Sequence, residues 1–108
     1  MITPSAAFID NLAQMPAIDH LARAELCVSG EVIATIENAP GKQGSLKVYT
    51  YLHETFGTID AKAAAHGLDV FGEHTADAKA RPGAHPNIDH LLTIMAGGEA
   101  LSVTLVPA

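Results

Sequence analysis

The stretch RAELCVSGEVIATIE, residues 23–37, decides the fold class. Ala24, Leu26 and Val28 alternate with Arg23, Glu25, Cys27 and Ser29; past Gly30, Val32, Ala34 and Ile36 alternate with Glu31, Ile33, Thr35 and Glu37. A period of two sends alternate side chains to opposite sides of a pleated strand, so the stretch is a hairpin with one apolar face that turns near Gly30. Loop length sets the pairing. A two-residue Ser29-Gly30 loop puts Val28 opposite Glu31 and mixes the faces, whereas a three-residue loop pairs Val28 with Val32, Leu26 with Ala34 and Ala24 with Ile36. The longer loop is expected, because it keeps the apolar face whole.

Working outward, Leu101, Val103 and Leu105 alternate with Ser102 and Thr104 up to Pro107, which makes a third strand. The intervening chain has helical spacing. Thr3-Pro4 looks like an N-cap and first helical residue, followed by Phe8, Ile9, Leu12 and Met15 on one side until Pro16. After the loop NAPGKQG, residues 38–44, a helix capped by Gly44 or Ser45 carries Leu46, Tyr49, Leu52, His53 and Phe56 on one stripe and closes at Gly57. Asp60 caps a third helix that buries Ala64, Leu68, Phe71 and Ala78 before Pro82-Gly83. Within it Gly67 and Gly72 each cost about 1 kcal/mol relative to alanine, which points to close packing or a bend. A fourth helix starts at His85-Pro86, shows Ile88, Leu91, Leu92 and Met95 at i, i+3, i+4 and i+7, and stops at Gly97-Gly98. The expected architecture is α+β: a small antiparallel sheet of about three strands covered by about four helices. Open sheet edges lead us to expect a homodimer.

The chain has 108 residues, matching a single domain over 1–108. Hydrophobic types make up 48% and charged types 17%, enough apolar surface to offset the entropy of ordering it. A formal charge of −6 repels phosphate backbones and anionic lipid, so neither nucleic acid nor a membrane surface is an expected partner. Cys27 is the only cysteine, so the chain can form neither an internal disulfide nor a cysteine cage for zinc. With no basic, apolar leader at Met-Ile-Thr-Pro-Ser, a cytoplasmic location is expected.

Two segments concentrate chemistry. The first runs from Glu73 to His90 and holds His74, Asp77, His85, Asp89 and His90 within a helix-turn-helix. His74 and Asp77, three apart on a helix, share a side, and the Pro82-Gly83 turn could fold His85 and Asp89 back towards them. Imidazoles and carboxylates are ligands for a divalent metal, and a hydrolytic centre needs three of them plus an open position. The HExxH pairing of zinc proteases is absent. The competing structural account has His74 and His85 each serving the backbone of its own helix terminus. The second segment is Lys42, Gln43, Gly44 and Ser45, where free N–H groups at a helix start, an ammonium and a hydroxyl would hold a carboxylate or phosphate. It lacks the P-loop spacing GxxxxGK[ST]. Cys27, on the opposite strand face from Leu26, is expected to be an inert packed thiol, and His53 to be a satisfied histidine on an apolar stripe.

The segments ENAPGKQGSLKVYTYL and EHTADAKARPGAHPNIDHLL resemble those of a small bacterial family known only as a domain of unknown function. The likeness spans about Ile18 to Met95. It implies a bacterial cytoplasmic protein and assigns no catalytic role.

Three functions are compatible with these residues. The first is a binding or accessory protein that takes a small anionic ligand or a protein partner. The second is a metal-dependent enzyme or metal-binding protein using the 74–90 segment, with a divalent ion as cofactor. The third is a metal-free acid–base enzyme using His74 or His85 with a carboxylate.

Overall fold

The computed structural model describes residues 1–108. In chain order the elements are α1 (Phe8–Leu12), β1 (Leu21–Val28), β2 (Glu31–Glu37), α2 (Gln43–Phe56), α3 (Ala61–Val70), α4 (Glu73–Ala80), α5 (Pro86–Met95) and β3 (Ser102–Pro107). The three strands form one sheet in the order β2-β1-β3, antiparallel throughout, and the class is α+β as expected. One sheet face is covered. Ala24 and Leu26 of β1, Ile36 of β2 and Val103 of β3 join Leu46, Tyr49 and Leu52 of α2, Val70 of α3 and Leu91 of α5 in a continuous core. Tyr49 keeps its hydroxyl satisfied there by donating to the Asn87 carbonyl oxygen at 2.6 Å, which ties the first turn of α5 to α2. Burial holds that phenol well above its usual pKa.

The hairpin turn differs from expectation. Val28 pairs with Glu31, so the loop is the two-residue Ser29-Gly30, with φ of 51° and 85°. Positive φ at both central positions is the geometry whose twist matches the flanking strands. Glu31 thus stands opposite Val28 at the tip, and a bulge then resets the ladder: Cys27 pairs with Val32 but Leu26 with Ala34, so Ile33 is an extra residue. Beyond the bulge the expected pairs Leu26–Ala34 and Ala24–Ile36 form.

Five helices replace the expected four, and one close approach explains most of the change. The first helix begins at Phe8, not Pro4, because Asn11 reorganises the preceding turn. Its side chain is fully buried, accepts from Ser5 N–H at 2.8 Å, and donates to the carbonyl oxygens of Ser5 at 3.0 Å and Val70 at 2.9 Å. The chain before α1 therefore lies across the end of α3. There the long third helix breaks into α3 and α4 at Gly72, whose φ of 59° and ψ of −128° suit glycine alone. A Cβ at Gly72 would sit 2.7 Å from the Ala6 carbonyl oxygen and 3.0 Å from Phe8 N. Gly67 answers to packing: a Cβ there would lie 2.9 Å from both Leu52 Cδ1 and Leu91 Cδ1, where α3 passes between α2 and α5.

Candidate functional site

The break at Gly72 points α4 so that His74 faces the same space as the corner between α4 and α5. Edge strand β2 runs into the loop before α2 on the other side of that space. A cleft of about 530 Å³ results. Gly41, Lys42 and Ser45 line it from the β2–α2 side, and His74, His85, Asn87 and His90 from the α4–α5 side. Phe8, Ile36, Phe71 and Ile88 contribute apolar wall. The two segments that sequence reasoning treated as separate candidates thus share one cavity of a size suited to a small molecule.

His85 occupies the N-cap position of α5, yet its side chain makes no capping hydrogen bond. Its Nε2 instead lies 2.6 Å from Asp77 Oδ2. Arg81 grips the same carboxylate: Nε donates to Oδ1 at 2.9 Å, and a second guanidinium nitrogen donates to Oδ2. These bonds, Arg81's first and His85's second, hold the Asp77 carboxyl far below the usual carboxylate range. An ionised carboxylate only accepts, so Nε2 carries the shared proton, and the neutral form of the ring has its lone pair on Nδ1. That nitrogen has no hydrogen-bond partner within the chain. The expected backbone-capping role of His85 is replaced by an aspartate-oriented imidazole.

His74 stands beside it, with ring centroids 5.7 Å apart. Phe8 meets the His74 ring edge-on at 5.1 Å, and Nε2 lies 3.7 Å from Glu73 Oε1. Glu73 is itself fixed. Its carboxylate accepts the Phe8 N–H at 3.0 Å, and hydrogen bonds from its own N–H and that of Phe8 hold it below its usual pKa. His74 donates to no backbone carbonyl. His90 is partly buried, which lowers its pKa.

At the opposite wall the α2 N-cap is Lys42, without a side-chain cap, rather than Gly44 or Ser45. The amide N–H groups of Gln43, Gly44 and Ser45 find no acceptor in the chain, as expected of an uncapped helix start. Of the four residues singled out here, Lys42 and Ser45 line the cleft. Gln43 turns away to donate to Asn38 Oδ1 at 2.9 Å, and Gly44 makes room for Phe8, whose Cε2 would lie 3.2 Å from a Cβ.

The candidate metal ligands do not converge. No group of three or more His, Cys, Asp or Glu side chains is placed to hold an ion. Asp77 is engaged by Arg81 and His85, and Asp89 accepts the Gly83 N–H at 3.0 Å, closing the turn between α4 and α5. Cys27 is buried in the sheet, away from the cleft. His66 lies elsewhere too, with Nε2 2.7 Å from the Tyr51 hydroxyl. Arg81, Phe8 and Asn87 were not anticipated as site residues. For Arg81 a signal existed, since Asp77 and Arg81 stand at the i, i+4 spacing of helical ion pairs. For Phe8 and Asn87 nothing local marks the role.

Fold and cleft together define a small α+β domain with a cavity walled by imidazoles on one side and an ammonium and hydroxyl on the other. The chain belongs to the family described as an uncharacterised protein conserved in bacteria, DUF2322, whose family model matches residues 8–105. No curated protein and no solved structure matches it. No helix is long and apolar enough to cross a membrane.

Proposed function

We propose that this protein binds a small anionic molecule, a carboxylate or phosphate, in the cleft between the β2–α2 loop and the α4–α5 corner. The observation that carries this reading is the meeting of Lys42 and Ser45 with His74 and His85 around one cavity. Residues 29 to 43 positions apart bring an ammonium, a hydroxyl and two imidazoles to a space with substantial apolar wall. In a chain with net charge −6, Lys42 brings a formal positive charge to a cleft that also holds hydrogen-bonding groups, which favours an anion there. The helix start adds three unbonded amides beside Lys42.

The test is a titration of the labelled protein with inorganic phosphate and with acetate, followed by amide chemical shifts. The expected result is saturable movement of the Gln43, Gly44 and Ser45 amides together with the His74 and His85 ring signals, abolished in Lys42→Ala. Shifts spread evenly over the surface, or unchanged by Lys42→Ala, would refute the reading.

A further inference from the structure

We infer that the cleft is a proton-transfer site for small 2-oxo carboxylates, with His85 as base and His74 as acid. The inference rests on the anion-binding reading above and names the substrate class of that site.

The geometry separates the work of the two rings. Asp77 Oδ2 accepts a hydrogen bond from His85 Nε2–H at 2.6 Å and so leaves Nδ1 as the basic nitrogen of the neutral ring, free of any partner in the chain. Arg81 clamps Asp77 through both oxygens, so the orienting carboxylate cannot swing away and its charge is shared with a guanidinium. Asp77 and Arg81 are therefore positioning residues. The second imidazole is 5.7 Å away between centroids, close enough for both rings to reach neighbouring atoms of one small molecule. A base at the carbon next to the carbonyl and an acid at the carbonyl oxygen, with an anion anchor across the cleft, are what a proton shift next to a carbonyl requires. Such a shift needs no second reactant. Covalent catalysis has little to work with: the thiol of Cys27 is buried in the sheet, and the Ser45 hydroxyl is not hydrogen-bonded to either histidine.

The step balances. With the substrate carboxylate at Lys42, His85 Nδ1 takes a proton from the carbon next to the keto group. The C–H electron pair becomes the C=C bond and the carbonyl π pair moves to oxygen, which receives the His74 proton. The product is the enol tautomer. Returning both protons restores the 2-oxo acid and the starting state of each ring.

Deuterium exchange at the carbon next to the keto group of pyruvate and 2-oxobutanoate, in heavy water and followed by proton NMR, tests the inference. Exchange faster than in matched buffer is expected, reduced about 100-fold in His85→Gln and in His74→Gln, the lower range for loss of a general acid or base. Both variants are checked for folding by circular dichroism. Asp77→Asn should lower kcat while leaving KM for pyruvate within about twofold, a split that a merely structural role would not produce. Exchange no faster than buffer, while pyruvate still shifts the Gln43–Ser45 amides, would overturn proton transfer and leave anion binding standing. Exchange equal in wild type and His85→Gln would also overturn it. Absence of both exchange and amide shifts would remove the two readings together.

Discussion

Replacing Gly72 by alanine tests the geometry on which the cleft depends. Two costs are separable at this position. The backbone conformation, φ 59° and ψ −128°, is one that a residue with a Cβ holds only under strain of about 1–3 kcal/mol. The new methyl would also stand 2.7 Å from the Ala6 carbonyl oxygen and 3.0 Å from Phe8 N, both backbone atoms. A backbone neighbour cannot swing aside as a leucine tip can, so overpacking adds about 1–3 kcal/mol. The sum, about 2–6 kcal/mol, is large against the ~5–15 kcal/mol stability of an ordinary domain. At about 4 °C per kcal/mol for a domain of this size, Tm should fall by roughly 8–24 °C. Gly57→Ala is the control, since φ is 77° and ψ −88° there but no atom lies within 4 Å of the added Cβ. Urea unfolding followed by far-UV circular dichroism measures both variants. Gly72→Ala should lose at least 1 kcal/mol more than Gly57→Ala, on the order of the overpacking cost. Equal losses would mean that the N-terminal segment does not press on the α3–α4 break, and the account of how His74 reaches the cleft would fail.

Asn11→Ala should destabilise by about 2–3 kcal/mol, because it strands the buried Val70 carbonyl and frees the Ser5 turn; a change below about 0.5 kcal/mol in urea unfolding would contradict the hydrogen bonding described. The depressed pKa of Asp77, due first to Arg81 and then to His85, has a sign that can be checked. Its stabilisation is fully present above the unfolded carboxyl value of about 4 and is lost as pH falls towards the folded value. Asp77→Asn should therefore flatten the acid side of a stability-against-pH curve, and an unchanged acid slope would count against the Arg81–Asp77–His85 arrangement. Tyr51→Phe removes the acceptor of Ile2 N–H and the partner of His66, so about 1 kcal/mol should be lost and the His66 ring signals should move; unmoved signals would place that ring elsewhere.

Much of the fold was legible because its signals are local and redundant. Alternation through Ala24, Leu26 and Ile36 identified the covered sheet face, and the i, i+3, i+4, i+7 stripe from Ile88 to Met95 identified the helix whose Ile88 and Leu91 are buried in the core. The turn at Ser29-Gly30 was not legible from alternation, because a bulge at Ile33 lets a tight turn with Glu31 opposite Val28 lead into the apolar pairs Leu26–Ala34 and Ala24–Ile36. The helix break at Gly72 was legible as a weakness but not as a break, since its cause is the chain around Ala6, more than sixty residues earlier. The site followed the same division. Composition located both polar segments, but their meeting in one cleft depends on β2 being an edge strand and on the angle at Gly72, which no local pattern carries. Whether His85 would bind backbone or carboxylate was equally a question of three-dimensional approach, although the Asp77–Arg81 spacing held a clue.

The bulge in β2 has an effect beyond hairpin register. A foreign strand seeking to dock along Glu31–Glu37 would meet backbone amides and carbonyls thrown out of step at Ile33, with glutamates at both ends. Ser102–Pro107, at the other margin of the sheet, carries no such irregularity between Arg23 and Cys27. An incoming strand would find regular pairing groups only along the β3 margin, across the sheet from the β2 residues Ala34, Thr35 and Ile36 that line the cavity.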